Sequence, residues 1–301
     1  MQQWISKLSE QEVGAILPNE PMSRYTTWKI GGPADAMVVP DTKAQLLSLI
    51  RQLREEQIPW MTIGKGSNML VSDKGIRGVV IRLGKGFEDI RFGGSEVTAG
   101  GGASFVRLSV MAGKQGLTGL EFAAGVPGTV GGAVYMNAGA HGSDVSRIFK
   151  SADIVLETGE LVTYTSEDMD FRYRHSLLHD QRGIVAEARF VLSEGDRLEI
   201  AAAMATYKDR RRKTQPLQQP CAGSVFRNPP GDYAARLIES AGLKGRSVGG
   251  AEVSALHANF IVNTGQATAE NVLELMEIIK ATILSEYDIA LVPEVFFVGE
   301  R

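Results

Sequence analysis

The chain has 301 residues, 44% hydrophobic and 22% charged, with a formal net charge of -3, the balance of an ordinary globular protein without the positive field that holds nucleic acid. Its length exceeds the ~250 residues at which single cores split, which predicts two or three lobes. A single cysteine rules out an internal disulfide, and the absence of a signal-like or bilayer-long apolar run predicts a cytoplasmic protein with no membrane insertion.

Residues 36–39 read as a strand, and Asp41 stands where it would cap a helix in which Leu46, Ile50 and Leu53 recur at helical spacing. Residues 60–63 return as a strand and run into Gly64-Lys65-Gly66-Ser67-Asn68, a strand–helix–strand unit ending in a ligand loop. Short strands with turns fill 79–98, and a helix follows over 104–115. A hairpin is predicted from 152–156, a turn at Glu157-Thr158-Gly159-Glu160, and 161–164. Residues 184–192 form a strand, and Ser193-Glu194-Gly195-Asp196 marks a boundary. Beyond it come a helix to about Lys213, a loop to Pro220, helices over 232–241 and 268–287, and a strand-like run at 256–262. The final apolar strand, 290–298, is interrupted by Pro293 and Glu294, and a charge inside such a strand needs a partner or a job. The class is α+β.

Glycine is the outlier, 34 of 301 residues, with the excess between Gly64 and Gly142 and no repeat period. Such a backbone turns tightly or approaches a ligand closely. The loop Gly64-Lys65-Gly66-Ser67-Asn68-Met69 lacks the third glycine of the dinucleotide fingerprint, and no Gly-Lys is followed by Ser or Thr. It serves either a plain tight turn or a set of backbone N–H donors to a diphosphate. In Gly125-Val126-Pro127-Gly128-Thr129-Val130-Gly131-Gly132, Pro127 suits the first turn of a helix, and Asn137-Ala138-Gly139-Ala140 continues the small-residue theme. Close helix–sheet packing explains one such cluster; a large flat cofactor explains the two jointly.

Other candidates are weaker when read locally. In Phe171-Arg172-Tyr173-Arg174-His175-Ser176 the arginines can grip a carboxylate, or form a surface ion-pair patch, which local sequence favours. Ser224, in Ala222-Gly223-Ser224-Val225-Phe226, lacks the Gly-x-Ser-x-Gly elbow of hydrolases. Cys221 reads as a spectator thiol. His141, His175, His179 and His257 have no metal-ligand spacing, so no metal is expected. The basic run at 208–213 either complements the end of its helix or meets a phosphate.

In order and number, these segments resemble the UDP-N-acetylenolpyruvoylglucosamine reductases, the MurB family. The resemblance begins at Thr26-Thr27-Trp28-Lys29-Ile30-Gly31-Gly32-Pro33-Ala34 and passes through the Gly64 loop and the Gly125–Gly132 cluster. It continues with Tyr173-Arg174-His175-Ser176, Ala222-Gly223-Ser224-Val225-Phe226-Arg227-Asn228-Pro229 and Gly242-Leu243-Lys244-Gly245, and ends at Pro293-Glu294-Val295. It implies a two-lobed FAD-binding region of the vanillyl-alcohol-oxidase type, residues 1–80 (joined by the C-terminal strand) and 81–195, and an α+β substrate lobe over 196–301. The short chain resembles the subclass without the lid insertion.

The resemblance further implies a catalytic set of Arg174, Ser224 and Glu294, with Ser224 as proton donor. FAD contacts fall on Gly64, Lys65, Gly66, Ser67, Asn68, Gly125, Pro127, Gly128, Thr129, Gly131, Gly132 and Asn137. Lys213, Asn228 and Lys244 look like substrate contacts, and NADPH and a UDP-sugar enolpyruvyl ether are the co-substrates. In that chemistry, hydride adds to the enolpyruvyl double bond and negative charge spreads into the carboxylate, where Arg174 would stabilise it. Related oxidases tether flavin through a histidine near this loop, whereas Ser67-Asn68-Met69-Leu70 has none, so FAD is expected without a covalent bond. The alternatives are another FAD-dependent oxidoreductase of the superfamily and a non-catalytic flavin- or UDP-sugar-binding regulator.

Overall fold

The helices predicted from periodicity form, with ends set by caps. In the computed structural model residues 3–300 are described; positions 1, 2 and 301, and with them the outer ends of the first predicted lobe and of the predicted substrate lobe, lie outside that range. Seven α-helices run through the described residues: α1 Gln3–Ser9, α2 Lys43–Glu55, α3 Phe105–Gln115, α4 Val130–Tyr135, α5 Arg197–Thr214, α6 Ala234–Ser240 and α7 Ala269–Tyr287. None is long and apolar enough to cross a membrane.

Two compact units divide the described chain. The first takes the residues up to Pro18, Ala36–Gly64 and Gly78–Asp209; the second takes Asn19–Asp35, Lys65–Arg77 and the residues from Arg210 onward.

The first unit is built on a five-stranded antiparallel sheet in the order Leu161–Thr165, Phe149–Leu156, Gly183–Val191, Glu96–Gly100, Ile90–Gly93. The predicted hairpin is its edge, where Leu161–Thr165 folds back on Phe149–Leu156. Alternation along these strands turns Val97, Ala99, Ala152, Ile154, Ala188 and Phe190 into a core shared with Phe105 and Leu108 of α3. Ser104 caps α3 by accepting from the Arg107 N–H, and Gly116, at φ 77°, ends it in the left-handed conformation. A second core joins Leu46, Leu49, Ile50 and Leu53 of α2 to Val38, Val79 and Ile81. The cap of α2 is a correction: Thr42, not Asp41, accepts the Gln45 N–H, at 3.1 Å. Asp41 instead faces a glycine turn 45 positions further on, accepting from the Gly86 N–H.

The second unit centres on Trp28, fully buried with its indole N–H donating to the Ile261 carbonyl at 2.8 Å. Around it lie Leu70, Val225, Phe226, Leu237, Ala251, Ile261, Leu275 and Ile279. The segment Thr26–Ala34 therefore marks an anchor of the fold. Gly32 is held so close to the Asp73 carbonyl that no Cβ fits there. Asp73 also accepts from the Ala269 and Glu270 N–H groups, supplying an anion at the start of α7 beside the Thr268 cap. Two strand expectations are corrected. Within 256–262 only Ile261 onward is strand (Ile261–Asn263), because Leu256–Phe260 is a turn closed by Phe260 N–H to His257 O. Within 290–298 only Phe296–Val298 is strand, paired in parallel with Met69–Val71, since Pro293 lacks the ladder donor.

Candidate active site

The glycine segments of the first unit meet directly. Gly64 follows the strand Trp60–Thr62 and lies against Thr129, where a Cβ on residue 64 would stand 2.7 Å from the hydroxyl oxygen. Thr129 is the cap of α4, its hydroxyl accepting from the Gly132 N–H at 3.2 Å. Pro127 stands two residues before that cap, which corrects its expected place in the first helical turn. The segment is laid along 101–105 by three bonds: Phe105 N–H to Gly128 O, Val130 N–H to Ala103 O, and Gly131 N–H to Gly101 O. A Cβ on Gly131 would lie 3.0 Å from the Gly101 carbonyl. Gly125 ends the short 3-10 turn that precedes the segment.

Among the described residues no hydrogen bond takes up the backbone N–H of Gly64, Gly128 or Thr129. Three donors on small residues within one loop pair suit an anionic group such as a diphosphate. The residues present thus fit the cofactor that the sequence implied.

Lys65, Gly66, Ser67 and Asn68 belong to the second unit. Gly66 has φ 58° and its Cα faces the Tyr25 carbonyl without room for a Cβ, so the turn itself requires glycine. The loop opens into the strand Met69–Val71. Asn68 is tied to the C-terminal segment: its side-chain amide donates to the Glu294 carbonyl at 3.1 Å, and its own carbonyl accepts from the Phe296 N–H.

Arg174 sits in a tight turn of the first unit. Arg172 and His175 exchange both backbone hydrogen bonds at 3.1 Å, and Arg174 takes φ 55°, a conformation that a side chain of this size adopts at a cost of about 1–2 kcal/mol. Its guanidinium lies over the Tyr173 ring, 5.0 Å from the centroid, and donates to the Gly139 carbonyl at 3.1 Å. Its neighbour Arg172 forms an ion pair with Asp170. Asn137, 3% exposed, has its amide engaged within the chain, donating to Arg172 O and accepting from Ser146 N–H.

Ser224 and Glu294 lie on paired segments of the second unit. The Glu294 N–H donates to Val225 O at 2.7 Å, the Arg227 N–H donates to Val292 O, and Phe226 bridges Pro293 in antiparallel fashion. Gly223, at φ 75°, turns the chain into this pairing. Asn259, a residue the sequence reading missed, holds the serine segment from the other side. Its side chain accepts from the Phe226 N–H and donates to the Phe226 carbonyl, while its backbone carbonyl accepts from the Val225 N–H. The available signal was a lone amide in the apolar run Ala258-Asn259-Phe260-Ile261. The half-buried Ser224 hydroxyl meets no protein partner among the described residues.

Of the expected substrate contacts, Lys213 is exposed in the last turn of α5. Asn228 accepts from the Ala234 N–H at the start of α6, and Lys244 pairs with Glu239 at 2.6 Å. Burial pushes the Cys221 thiol above its ordinary value, which suits a spectator and not a nucleophile. No cluster of His, Cys, Asp and Glu among the described residues could hold a metal ion.

Comparison with known proteins bears on the whole chain. Residues 34–165 match the FAD binding domain, and residues 215–298 match the C-terminal domain of UDP-N-acetylenolpyruvoylglucosamine reductase. The reductase of Bacillus licheniformis is 51% identical over 302 residues, covering all of both chains, and that of Bacillus subtilis is 49% identical over 300, covering 99% of each. The chain belongs to the UDP-N-acetylenolpyruvoylglucosamine reductase family. A solved reductase of this family, from Thermus caldophilus, superposes with a TM-score of 0.81 at 37% identity, covering 94% of this chain and 98% of that one. A berberine bridge enzyme variant shares the fold alone, at a TM-score of 0.52 and 13% identity, over 65% of this chain and 44% of its own. The fold is thus α+β, an FAD-binding region of the vanillyl-alcohol-oxidase type followed by the C-terminal domain of the reductase family. The FAD-domain match takes in the Gly64 loop, the Gly125–Gly132 segment and Asn137.

Proposed function

We propose that this protein reduces UDP-N-acetylglucosamine enolpyruvate to UDP-N-acetylmuramate, with FAD as cofactor and NADPH as hydride donor, in the making of peptidoglycan precursors. The observation that carries the reading is the end-to-end identity of about half its residues with named reductases. When bound, FAD would supply the hydride transfer from NADPH to the enolpyruvyl carbon. The free N–H groups of Gly64, Gly128 and Thr129 would hold the FAD diphosphate without a covalent link, among Gly125, Pro127, Gly131 and Gly132. Lys65, Gly66, Ser67 and Asn68 are proposed as further FAD contacts.

Arg174 stabilises the negative charge that develops on the substrate carboxylate, for which a guanidinium offers two parallel donors. Ser224 donates the final proton to carbon, and its hydroxyl has no competing partner among the described residues. Glu294 is the third member of the proposed catalytic set, carried on the segment paired with that of Ser224. Lys213, Asn228 and Lys244 bind the sugar nucleotide, the last two exchanging Ala234 and Glu239 for it. The partners are these small molecules, and the reaction is placed in the cytoplasm.

Stopped-flow traces of Ser224→Ala test the assignment. A proton donor is needed only when the enolpyruvyl sugar reoxidises the flavin, so that half-reaction should slow by at least ~10²-fold while reduction by NADPH stays normal. Equal slowing of both halves would make Ser224 part of the general architecture, and unchanged turnover would make it a turn residue.

A further inference from the structure

The segment that carries Arg174 is fastened at one point by the side chain of Asn137, which the sequence marked as an FAD contact and whose amide the structure ties to the chain itself. Asn137 directly follows the C-cap of α4 and takes φ 41°. Its amide Nδ2 donates to the Arg172 carbonyl at 3.0 Å, and its Oδ1 accepts from the Ser146 N–H at 2.9 Å. The Arg172 carbonyl opens the turn in which Arg174 stands, and it already accepts from the His175 N–H. Ser146 follows the short hairpin in which Gly139–Ala140 pairs with Ser143–Asp144, and the Gly139 carbonyl accepts from Arg174 Nη2. One buried amide therefore links both ends of the arginine's setting: the backbone that starts its turn and the hairpin that receives its guanidinium. Ser176, fully buried, adds a second tie by donating its hydroxyl to the Tyr135 carbonyl.

We infer that Asn137 is a positioning residue: resting on the role given above to Arg174, its amide fixes the Arg172–His175 turn so that the guanidinium is held at one angle when charge builds on the substrate carboxylate. A left-handed arginine has no intrinsic preference for its conformation, so the turn keeps it only while outside partners hold it. Both polar ends of Asn137 face inward, and at 3% exposure it has little surface left for a bound molecule.

The test is Asn137→Asp, which retains size, tolerance of positive φ and the acceptor for Ser146, but sets a carboxylate oxygen against the Arg172 carbonyl. Flavin reoxidation by the enolpyruvyl sugar should slow about 10- to 100-fold, with FAD affinity and reduction by NADPH within about twofold of normal. In an Arg174→Ala background the same change should add no further loss, because two residues acting through one group are not additive. Hydrogen exchange of the peptide spanning 172–176 should quicken in Asn137→Asp, a readout independent of turnover. Asn137→Gly, which keeps the backbone conformation and deletes both bonds, should show the same pattern more strongly.

Equal slowing of both half-reactions, loss of FAD, or a loss that multiplies with that of Arg174→Ala would overturn the inference. Normal reoxidation by Arg174→Ala would overturn the role of Arg174 itself, and this inference with it. Slow reoxidation by Arg174→Ala beside normal reoxidation by Asn137→Asp would overturn the positioning role alone.

Discussion

Asp153 shows how much a single residue draws on distant chain. It lies in the strand Phe149–Leu156 and accepts from Arg189 at 2.9 Å, Lys43 at 2.9 Å and Thr163 at 3.0 Å. Burial works to raise its carboxyl, but these three bonds outweigh burial and hold it well below the usual carboxylate range. A folded value below the unfolded one, ~3.9, gives stabilisation that is complete above about pH 4 and is lost as pH falls further. Acidification from pH 5 to 3 should therefore lower the wild-type Tm more steeply than that of Asp153→Asn, which should also be about 1–3 kcal/mol less stable at pH 7. Parallel pH profiles for the two proteins would contradict the assignment. Nothing near residue 153 announces this, since two of the partners stand 36 and 110 positions away. The same limit applies around Arg174. Its chemistry was legible in residue type, yet the carbonyl that receives it, 35 positions back, was not.

At the scale of elements, α2, α3, α6 and α7 were legible because each buries one apolar stripe, whereas α5 buries only Ile200 and the helix ends depended on local caps. Asp41 and Thr42 are both acceptable caps by composition, and only the chain's path decided for threonine. Thr42→Ala should lower stability by about 1 kcal/mol in denaturant titration, and an unchanged midpoint would return the cap to Asp41. Strands of two or three residues were the least legible elements, since a pair such as Gly139–Ala140 and Ser143–Asp144 offers no alternation to read. The two glycine segments were legible as closely turning backbone but not as neighbours. Their contact yields a prediction: Gly64→Ala places a methyl 2.7 Å from the Thr129 hydroxyl and must push aside the α4 cap. Apoprotein carrying Gly64→Ala should bind FAD at least about tenfold more weakly in a fluorescence titration, and wild-type affinity would remove Gly64 from the cofactor's surroundings.

For the whole molecule, family membership was legible because the ordered motifs include residues that anchor the fold as well as residues with a proposed part in the chemistry. Trp28, Gly31 and Gly32 anchor the second unit; Arg174, Ser224 and Glu294 carry the proposed reaction. The interleaving of the two units was not legible, since composition does not change at residues 18, 35, 64 or 77, four of the five positions where the chain passes from one to the other. The most direct measurement at this scale is turnover of the purified protein with NADPH and UDP-N-acetylglucosamine enolpyruvate, read by mass spectrometry of the sugar nucleotide under exclusion of oxygen. The expected result is NADPH oxidation only when the enolpyruvyl sugar is present, with one molecule of product, heavier by two hydrogens, for each NADPH consumed. NADPH oxidation that requires oxygen and leaves the sugar nucleotide at its original mass would contradict the reductase reading and point to an oxidase of the same fold.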